Sequence, residues 1–230
     1  MTPLVLIPGL LCDGRLWHHQ MDGLNKHVNV IVADITRGST LREMSEALLD
    51  VAPARFALAG FSLGSQVALE IMRLAKERVD HLALLSATRG GLPTVVEAAI
   101  RQAVALLEED RFDQYLEAAY ATYFAPSRAG DPGLRRCFMD MAHAVGRDAG
   151  LRQMRALLEI RAPFENLGEI RCPTMILGGR LDRRTTPVEH EAVAGEIPGA
   201  TLVIVDGAAH FTPLEQPETV TQALEEWLRL

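Results

Sequence analysis

Six short apolar runs recur along the chain, and each has the length of a β-strand. They are almost continuously hydrophobic, with little alternation, which is typical of strands buried on both faces of a parallel sheet. The runs are Leu4–Ile7, Val28–Ala33, Phe56–Phe61, Leu82–Leu85, Thr174–Leu177 and Thr201–Val205. Because helices must cover both faces of such a sheet, the pattern predicts an open, mostly parallel α/β fold of about six strands.

Helical patterns lie between most of these runs. The segment Thr40–Glu43 has the form of a capping box in front of a helix that extends to about Asp50. An amphipathic helix follows Ser62 directly, and the last helix begins near Pro217. Strands that alternate with helices predict right-handed βαβ crossovers.

One long segment, residues 92–162, carries helical patterns and no convincing strand. The segment Thr94–Glu97 is a second capping box. Further helices are predicted over Phe112–Tyr123, Leu134–Val145 and Leu151–Ile160. We therefore expect a core of residues 1–91 and 163–230, into which residues 92–162 are inserted.

Composition and charge narrow the class of protein. The chain has 230 residues, 48% hydrophobic and 23% charged, as expected for one globular domain. The net charge of -7 disfavours nucleic acid and anionic membranes as partners. The apolar opening Pro3–Leu11 lacks the basic region of a signal peptide, and no run approaches the ~20 apolar residues of a membrane span. We expect a soluble protein.

The chain has three cysteines, which are widely spaced: Cys12, Cys137 and Cys172. An odd number without paired metal-ligand spacing predicts free thiols in a reducing cytoplasm and no metal site.

The run Gly60–Gly64 has the form Gly-x-Ser-x-Gly, with Ser62 at its centre. It ends one predicted strand and opens the next helix, so the serine is expected on a sharp strand-to-helix turn as a nucleophile. The alternative is that Ser62 only caps the helix, because serine is a favoured N-cap residue.

A serine nucleophile needs a base, normally a histidine that a carboxylate orients. In a sheet of this type the acid and then the histidine follow the serine along the chain, each after a strand. Asp182 follows the strand Thr174–Leu177 and a glycine pair, and His210 follows the strand Thr201–Val205. Asp206 is a rival acid, but it lies on the same short loop as His210, so we favour Asp182.

The other histidines do not lie at the exit of a late strand, and we expect them to be structural. They are His18, His19, His27, His81, His143 and His190. Of these, His143 lies on a helix of the predicted insertion, where it could face the site.

The oxyanion of a tetrahedral intermediate needs two backbone N–H donors. The N–H of Leu63, directly after the predicted nucleophile, is the first candidate. The second is the N–H of Leu10, where Gly9 permits close approach of a ligand, although this segment could also be an ordinary strand-ending turn.

Together these motifs resemble the α/β-hydrolase superfamily from end to end. The resemblance is most specific in the last third, in Cys172–Asp182, Pro187, Gly207–His210 and Leu214–Pro217. Leu6–Gly9 resembles the oxyanion turn of the family, with Pro8 where many members have histidine. The chain departs from the family in two further ways. It starts at what the family counts as its third strand, and it has Thr36–Ser39 in place of the usual Gly-His-Gly-x-Ser turn.

The resemblance implies that residues 92–162 form a helical cap, similar to the caps of small carboxylesterases, including those that cleave a pimeloyl carrier-protein methyl ester. Six of the twelve aromatic residues fall there, and each could line an acyl pocket or pack the cap core. The candidate substrate-binding residues are Trp17, Tyr120, Tyr123, Phe124 and His143. Because acids balance bases in this segment, an acyl carrier protein is not the partner we favour.

These features predict a serine hydrolase that cleaves a small carboxylic ester through an acyl-enzyme, with Ser62, Asp182 and His210 as the triad and no cofactor. The serine excludes the aspartate-nucleophile chemistry of dehalogenases and epoxide hydrolases in the family. Thioesterase, lactonase and carbon–carbon hydrolase activities stay open, as does a catalytically silent ligand receptor on the same fold. The sequence leaves both a monomer and a homodimer possible.

Overall fold

The computed structural model describes residues 2–160 and 164–229. Its strands are β1 (Leu4–Ile7), β2 (Val30–Val32), β3 (Phe56–Phe61), β4 (Val79–Leu85), β5 (Thr174–Gly179) and β6 (Thr201–Val205). They form one sheet in the order β2-β1-β3-β4-β5-β6, and every neighbouring pair is parallel. The six-stranded parallel sheet that the apolar runs predict is confirmed.

Helices follow or separate the strands. They are α1 (His18–Leu24), α2 (Leu41–Val51), α3 (Leu63–Ala75), α4 (Thr94–Glu108), α5 (Phe112–Tyr123), α6 (Pro132–Val145), α7 (Arg147–Leu158), α8 (Pro187–Glu196), α9 (Thr212–Glu215) and α10 (Pro217–Trp227). Helix α3 packs on β3 and on α2, whereas α1 packs on α10. The predicted fold class, an open α/β sheet covered by helices, is confirmed.

The strand register aligns the carboxyl ends of the central strands. Ile7 lies beside Gly60, Phe61 beside Leu85, and Leu85 beside Leu177. Since parallel strands all end at the same edge, the segments that follow β3, β5 and β6 meet there. The fold therefore brings three distant parts of the chain to one place.

The helices α4 to α7 follow one another without an intervening strand, and each packs on the next. Residues 161 and 162 of the predicted cap, and residues 1, 163 and 230 of the predicted core, lie outside the described residues. Across the described residues, no helix combines the length and apolarity needed to cross a membrane.

Some predicted boundaries are wrong. Strand β2 is only three residues long, and β4 begins at Val79, ahead of the predicted Leu82. Thr94 forms no capping box, because the Glu97 N–H bonds to the carbonyl of Pro93 and Thr94 is already the first helical residue. Helix α7 begins at Arg147 because a single residue, Gly146, with φ of 82°, separates it from α6.

Candidate active site

Ser62 occupies a strained turn between β3 and α3. Its φ of 53° and ψ of -112° lie in a region that a residue with a Cβ rarely adopts. A Cβ on Gly60 would lie 2.2 Å from the carbonyl oxygen of Gly64, and one on Gly64 would lie 2.4 Å from that of Ile7. Only glycine fits two positions before and two positions after the serine. The five-residue motif is therefore the local cause of this turn.

The hydroxyl of Ser62 does not cap the helix. Ser62 stands at the N-cap position of α3, but its side chain makes no capping hydrogen bond. Its Oγ instead lies 3.0 Å from Nε2 of His210. This distance places the hydroxyl within reach of a base.

The imidazole of His210 also contacts a carboxylate, since its Nδ1 lies 2.7 Å from Oδ2 of Asp182. Both side chains are buried. His210 lies on the loop after β6 and Asp182 on the loop after β5, so the sheet edge brings them together. The three side chains form one continuous hydrogen-bonded line, which ends at Ser62.

Three further donors hold the Asp182 carboxylate. The backbone N–H groups of Arg184 and Thr185 donate to Oδ1, at 2.8 Å and 3.1 Å. The Thr185 hydroxyl donates to Oδ2 at 2.6 Å. Burial raises the pKa of Asp182, but the charge and hydrogen bond of His210 and the Thr185 bonds outweigh burial and lower this pKa to about 2. Asp182 is therefore an anion at neutral pH.

The rival acid and the other histidines lie elsewhere. Asp206 is exposed and pairs with Arg180. The other histidine side chains make no contact with Ser62: His18, His19 and His27 are exposed, His81 packs on Trp227, His143 pairs with Asp113, and His190 is buried against Gly178.

Two hydrogen bonds from distant parts of the chain fix the backbone of His210. Its N–H donates to the carbonyl of Tyr123, at the end of α5, at 3.0 Å. Its carbonyl accepts from the hydroxyl of Ser86, directly after β4, at 2.9 Å. Ser86 has a φ of 50°, and its side chain is buried. The sequence did not indicate Ser86, because its role depends on a loop 124 residues away.

Glu215 is a buried carboxylate beside the same loop. Its Oε1 accepts from the N–H groups of Ala209 and Phe211, at 3.0 Å and 3.1 Å, on either side of His210. Its Oε2 accepts from the N–H of Ala125, in the segment after α5, at 2.7 Å. Burial raises the pKa of Glu215, although these three bonds oppose the rise. Glu215 lies in Leu214–Pro217, one of the segments that resemble the α/β-hydrolase superfamily. The sequence alone assigns no role to its side chain.

Leu10 and Leu63, whose N–H groups are the predicted oxyanion donors, both line the cavity at Ser62. Neither donates a hydrogen bond to another residue among those described. The adjacent N–H of Leu11 donates to Oε1 of Gln153, a buried side chain of α7, at 3.0 Å. Helix α7 therefore helps to hold the turn that carries Leu10, through a contact between residues 142 positions apart.

Two adjoining cavities lie over Ser62. The inner one, of about 60 Å³, is lined by Ser62, His210 and mostly apolar side chains. The outer one, of about 910 Å³, lies against α4, α5 and the loop after β5. They share Leu10, Val96, Ile100, Tyr123 and Arg184. The outer cavity has the size that small-molecule sites usually have.

Two of the five predicted substrate-binding residues line these cavities: Tyr123 borders both, and Phe124 borders the outer one. The other three do not line either cavity. Trp17 is fully buried and packs on Phe61, so it belongs to the core. The hydroxyl of Tyr120 bonds to the carbonyl of Asp131, at the start of α6.

His143 is the third correction. Its side chain is exposed, lies 3.3 Å from a carboxylate oxygen of Asp113 and packs on Phe112. Helix periodicity shows which residues share a face, but not which face meets the cavity, and this explains the three errors.

Comparisons with known proteins agree with this architecture. The model of the alpha/beta hydrolase family matches residues 4–223. The chain is 24% identical to an (E)-2-((N-methylformamido)methylene)succinate hydrolase of Acinetobacter baylyi, over 98% of this chain and 90% of that protein. It is 26% identical to a pimeloyl-[acyl-carrier protein] methyl ester esterase of Photobacterium profundum, over 99% and 95%. Among solved structures, the enol-lactonase of Burkholderia xenovorans superposes with a TM-score of 0.89 at 18% identity, over 100% of this chain and 92% of that one.

Proposed function

The chain belongs to the alpha/beta hydrolase family, and from this premise we propose that it cleaves carboxylic esters through an acyl-enzyme on Ser62. The observation that carries the proposal is the line of hydrogen bonds from Ser62 through His210 to Asp182, at 3.0 Å and 2.7 Å. A hydroxyl on a strained turn, with a base and a buried anion behind it, is the arrangement that nucleophilic acyl transfer needs.

In the proposed first step, Ser62 Oγ attacks the ester carbonyl while His210 Nε2 takes the hydroxyl proton. Asp182 stays ionised, because its pKa is about 2, and it stabilises the imidazolium that forms. The N–H groups of Leu10 and Leu63 stabilise the oxyanion. His210 then returns the proton to the departing alcohol oxygen.

In the second step, water attacks the acyl group on Ser62 after losing a proton to His210. A second tetrahedral intermediate collapses, the acid is released, and the proton returns to Ser62. The inner cavity of about 60 Å³ accommodates a small group beside Ser62, and the outer cavity of about 910 Å³ accommodates the rest of the substrate.

The names of similar proteins widen the list of substrates to test. They include a methyl ester esterase, an enol-lactonase and a hydrolase of a substituted succinate. Esters, enol-lactones and thioesters share an acyl carbon that Ser62 would attack, so one triad suits all three. A panel of nitrophenyl esters, lactones and acyl thioesters is the direct comparison.

The proposal predicts that a fluorophosphonate probe labels Ser62 covalently, because its phosphorus is attacked as an ester carbonyl is. Peptide mass spectrometry locates the adduct. The variant Ser62→Ala should take no label and should lose roughly 10⁴-fold or more in kcat for any ester that the wild type cleaves.

Ser65→Ala is the matched control, because Ser65 lies one turn along the same segment and its hydroxyl bonds only to the carbonyls of Gly60 and Leu85. It should keep the label on Ser62. Folded wild-type protein that takes no label, or a Ser62→Ala variant with full activity, would refute the proposed nucleophile.

A further inference from the structure

Arg184 is the cation at the junction of the two cavities. Apart from His210 and Arg184, the inner cavity is lined by apolar and neutral polar side chains, and Arg184 is the charged residue common to both linings. Helix α4 contributes only apolar residues to the inner lining, namely Val96 and Ile100. A substrate that extends from Ser62 into the outer cavity therefore passes this guanidinium.

The guanidinium of Arg184 has no carboxylate partner among the described residues, whereas Arg180 close by pairs with Asp206. Its Cζ lies instead 4.5 Å from the centre of the Tyr123 ring. Arg184 is partly buried. A partly dehydrated cation that lacks an acid is stabilised by any anion that enters the cavity.

The position of Arg184 relative to the catalytic residues is fixed at both ends. Its backbone N–H donates to Asp182 at 2.8 Å, so the acid loop holds its main chain. The Tyr123 ring beneath its guanidinium stacks on the His210 ring, with centres 5.6 Å apart and planes at 25°. A single aromatic ring therefore separates the cation from the imidazole.

The charge of the outer cavity supports the same conclusion. Its charged lining consists of Arg180, Arg183, Arg184 and the buried Asp182. Arg180 is already paired with Asp206, but Arg183 and Arg184 still outnumber the one carboxylate of the lining. The lining is therefore cationic, although the whole chain has a net charge of -7. Local charge of one sign in a cleft attracts ligands of the opposite sign.

We propose that the substrate is an ester with a second, anionic group, a carboxylate, and that the guanidinium of Arg184 binds this carboxylate while Ser62 attacks the ester carbonyl. The guanidinium suits this task because its planar fork matches both oxygens of a carboxylate. This inference rests on the proposed ester hydrolysis and adds the substrate class.

The test uses pairs of esters that differ by one carboxylate. On the acyl side, mono-4-nitrophenyl adipate is compared with 4-nitrophenyl hexanoate; on the alcohol side, 3-acetoxybenzoate is compared with phenyl acetate. In at least one pair the wild type should show a higher kcat/KM for the carboxylate-bearing ester. Arg184→Gln should lower this preference by roughly 10–100-fold, mainly through KM, because it removes a charge-assisted bond.

Arg183→Gln is the matched control. It removes the same charge from the neighbouring residue, whose side chain is exposed and lines only the outer cavity. The preference ratio should stay within about twofold, because solvent screens an exposed charge. Equal losses in the two variants would mean general attraction, and would overturn the assignment of Arg184.

The inference also fails if the wild type prefers the neutral member of both pairs, or if Arg184→Gln lowers both members of a pair equally. These outcomes can be told apart from failure of the proposed ester hydrolysis. If ester hydrolysis itself is wrong, Ser62 takes no fluorophosphonate label and neither member of any pair is cleaved.

Discussion

At the scale of single residues, the proposed chemistry depends on how firmly Asp182 is held. Its carboxylate accepts four hydrogen bonds, from His210, from the Thr185 hydroxyl and from two backbone N–H groups. The backbone donors survive any side-chain change. Thr185 is the one donor, apart from His210, that a substitution can remove.

Thr185→Val should lower kcat about tenfold and change KM little. The reason is that the Thr185 hydroxyl positions Asp182 and has no proposed role in binding the substrate. Loss of a bond to the charged form should also raise the pKa of Asp182 above about 2. The part of the kcat profile on which Asp182 gains its proton should then move to higher pH. Steady-state kinetics from pH 2.5 to 8 measures both effects.

Thr212→Val provides the comparison for this change. Thr212 is also fully buried near His210, but its hydroxyl has no hydrogen-bond partner among the described residues. Its kcat and pH profile should stay close to those of the wild type. A Thr185→Val profile that matches the Thr212→Val profile would show that the hydroxyl does not position the acid.

At the scale of elements, helix α5 and the loop of His210 are joined through Glu215. One carboxylate oxygen bonds on both sides of His210, and the other bonds to Ala125, just beyond α5. The carbonyl of Tyr123 at the end of α5 also accepts from the His210 N–H. Helix α5 and the loop of His210 therefore form one hydrogen-bonded unit.

Glu215→Gln should destabilise this unit, because an amide NH₂ would then face a backbone N–H that the carboxylate now satisfies. A buried donor left without an acceptor costs about 1–3 kcal/mol, which should appear as a lower free energy of unfolding in urea. Proteolysis near residue 125 should become faster as the connection loosens.

The exposed Glu218→Gln makes the same chemical change on the nearby first turn of α10. It should alter the free energy of unfolding by less than about 0.5 kcal/mol, as surface changes usually do. If Glu215→Gln were equally mild, Glu215 would not be the residue that joins the segment after α5 to the loop of His210.

At the scale of the whole molecule, buried ionisable groups determine how stability depends on pH. His190 is fully buried beside Gly178, and neither ring nitrogen has a partner among the described residues. Burial lowers the pKa of His190 to about 4 from 6.5. In the unfolded chain the ring gains its proton near pH 6.5, whereas in the folded protein it stays neutral down to about pH 4.

The folded protein should therefore lose stability as the pH falls from 6.5 to 4, by roughly 3 kcal/mol from His190 alone. His81, whose pKa burial also lowers, adds to the loss in the same direction. Urea unfolding at pH 7.5, 6, 5 and 4.5 measures the slope. His190→Leu should flatten the slope, because it keeps an apolar side chain there and removes the titrating group; an unchanged slope would contradict this assignment.

Much of the fold could be predicted from the sequence, because the signals are local. Strands of a parallel sheet covered by helices are almost continuously apolar, and this pattern identified all six, including the partly buried edge strands β2 and β6. Turn chemistry is similarly short-range: the close approach of Gly60 and Gly64 to backbone oxygens allows no other residue. The boundary errors at β2 and Thr94 arose where one hydrogen bond decides where an element begins.

The sequence by itself determined the sheet, the strained turn at Ser62 and the chain order of Ser62, Asp182 and His210, since each follows from residue types within a few positions. Only the tertiary structure decided which side chains surround them. The side chains of three residues bond to backbone groups far along the chain or in the loop of His210: Gln153, Ser86 and Glu215. The role proposed for Arg184 depends on a cavity that α5 helps to line. Such contacts depend on how helices pack across the sheet edge, which residue spacing along one segment does not contain.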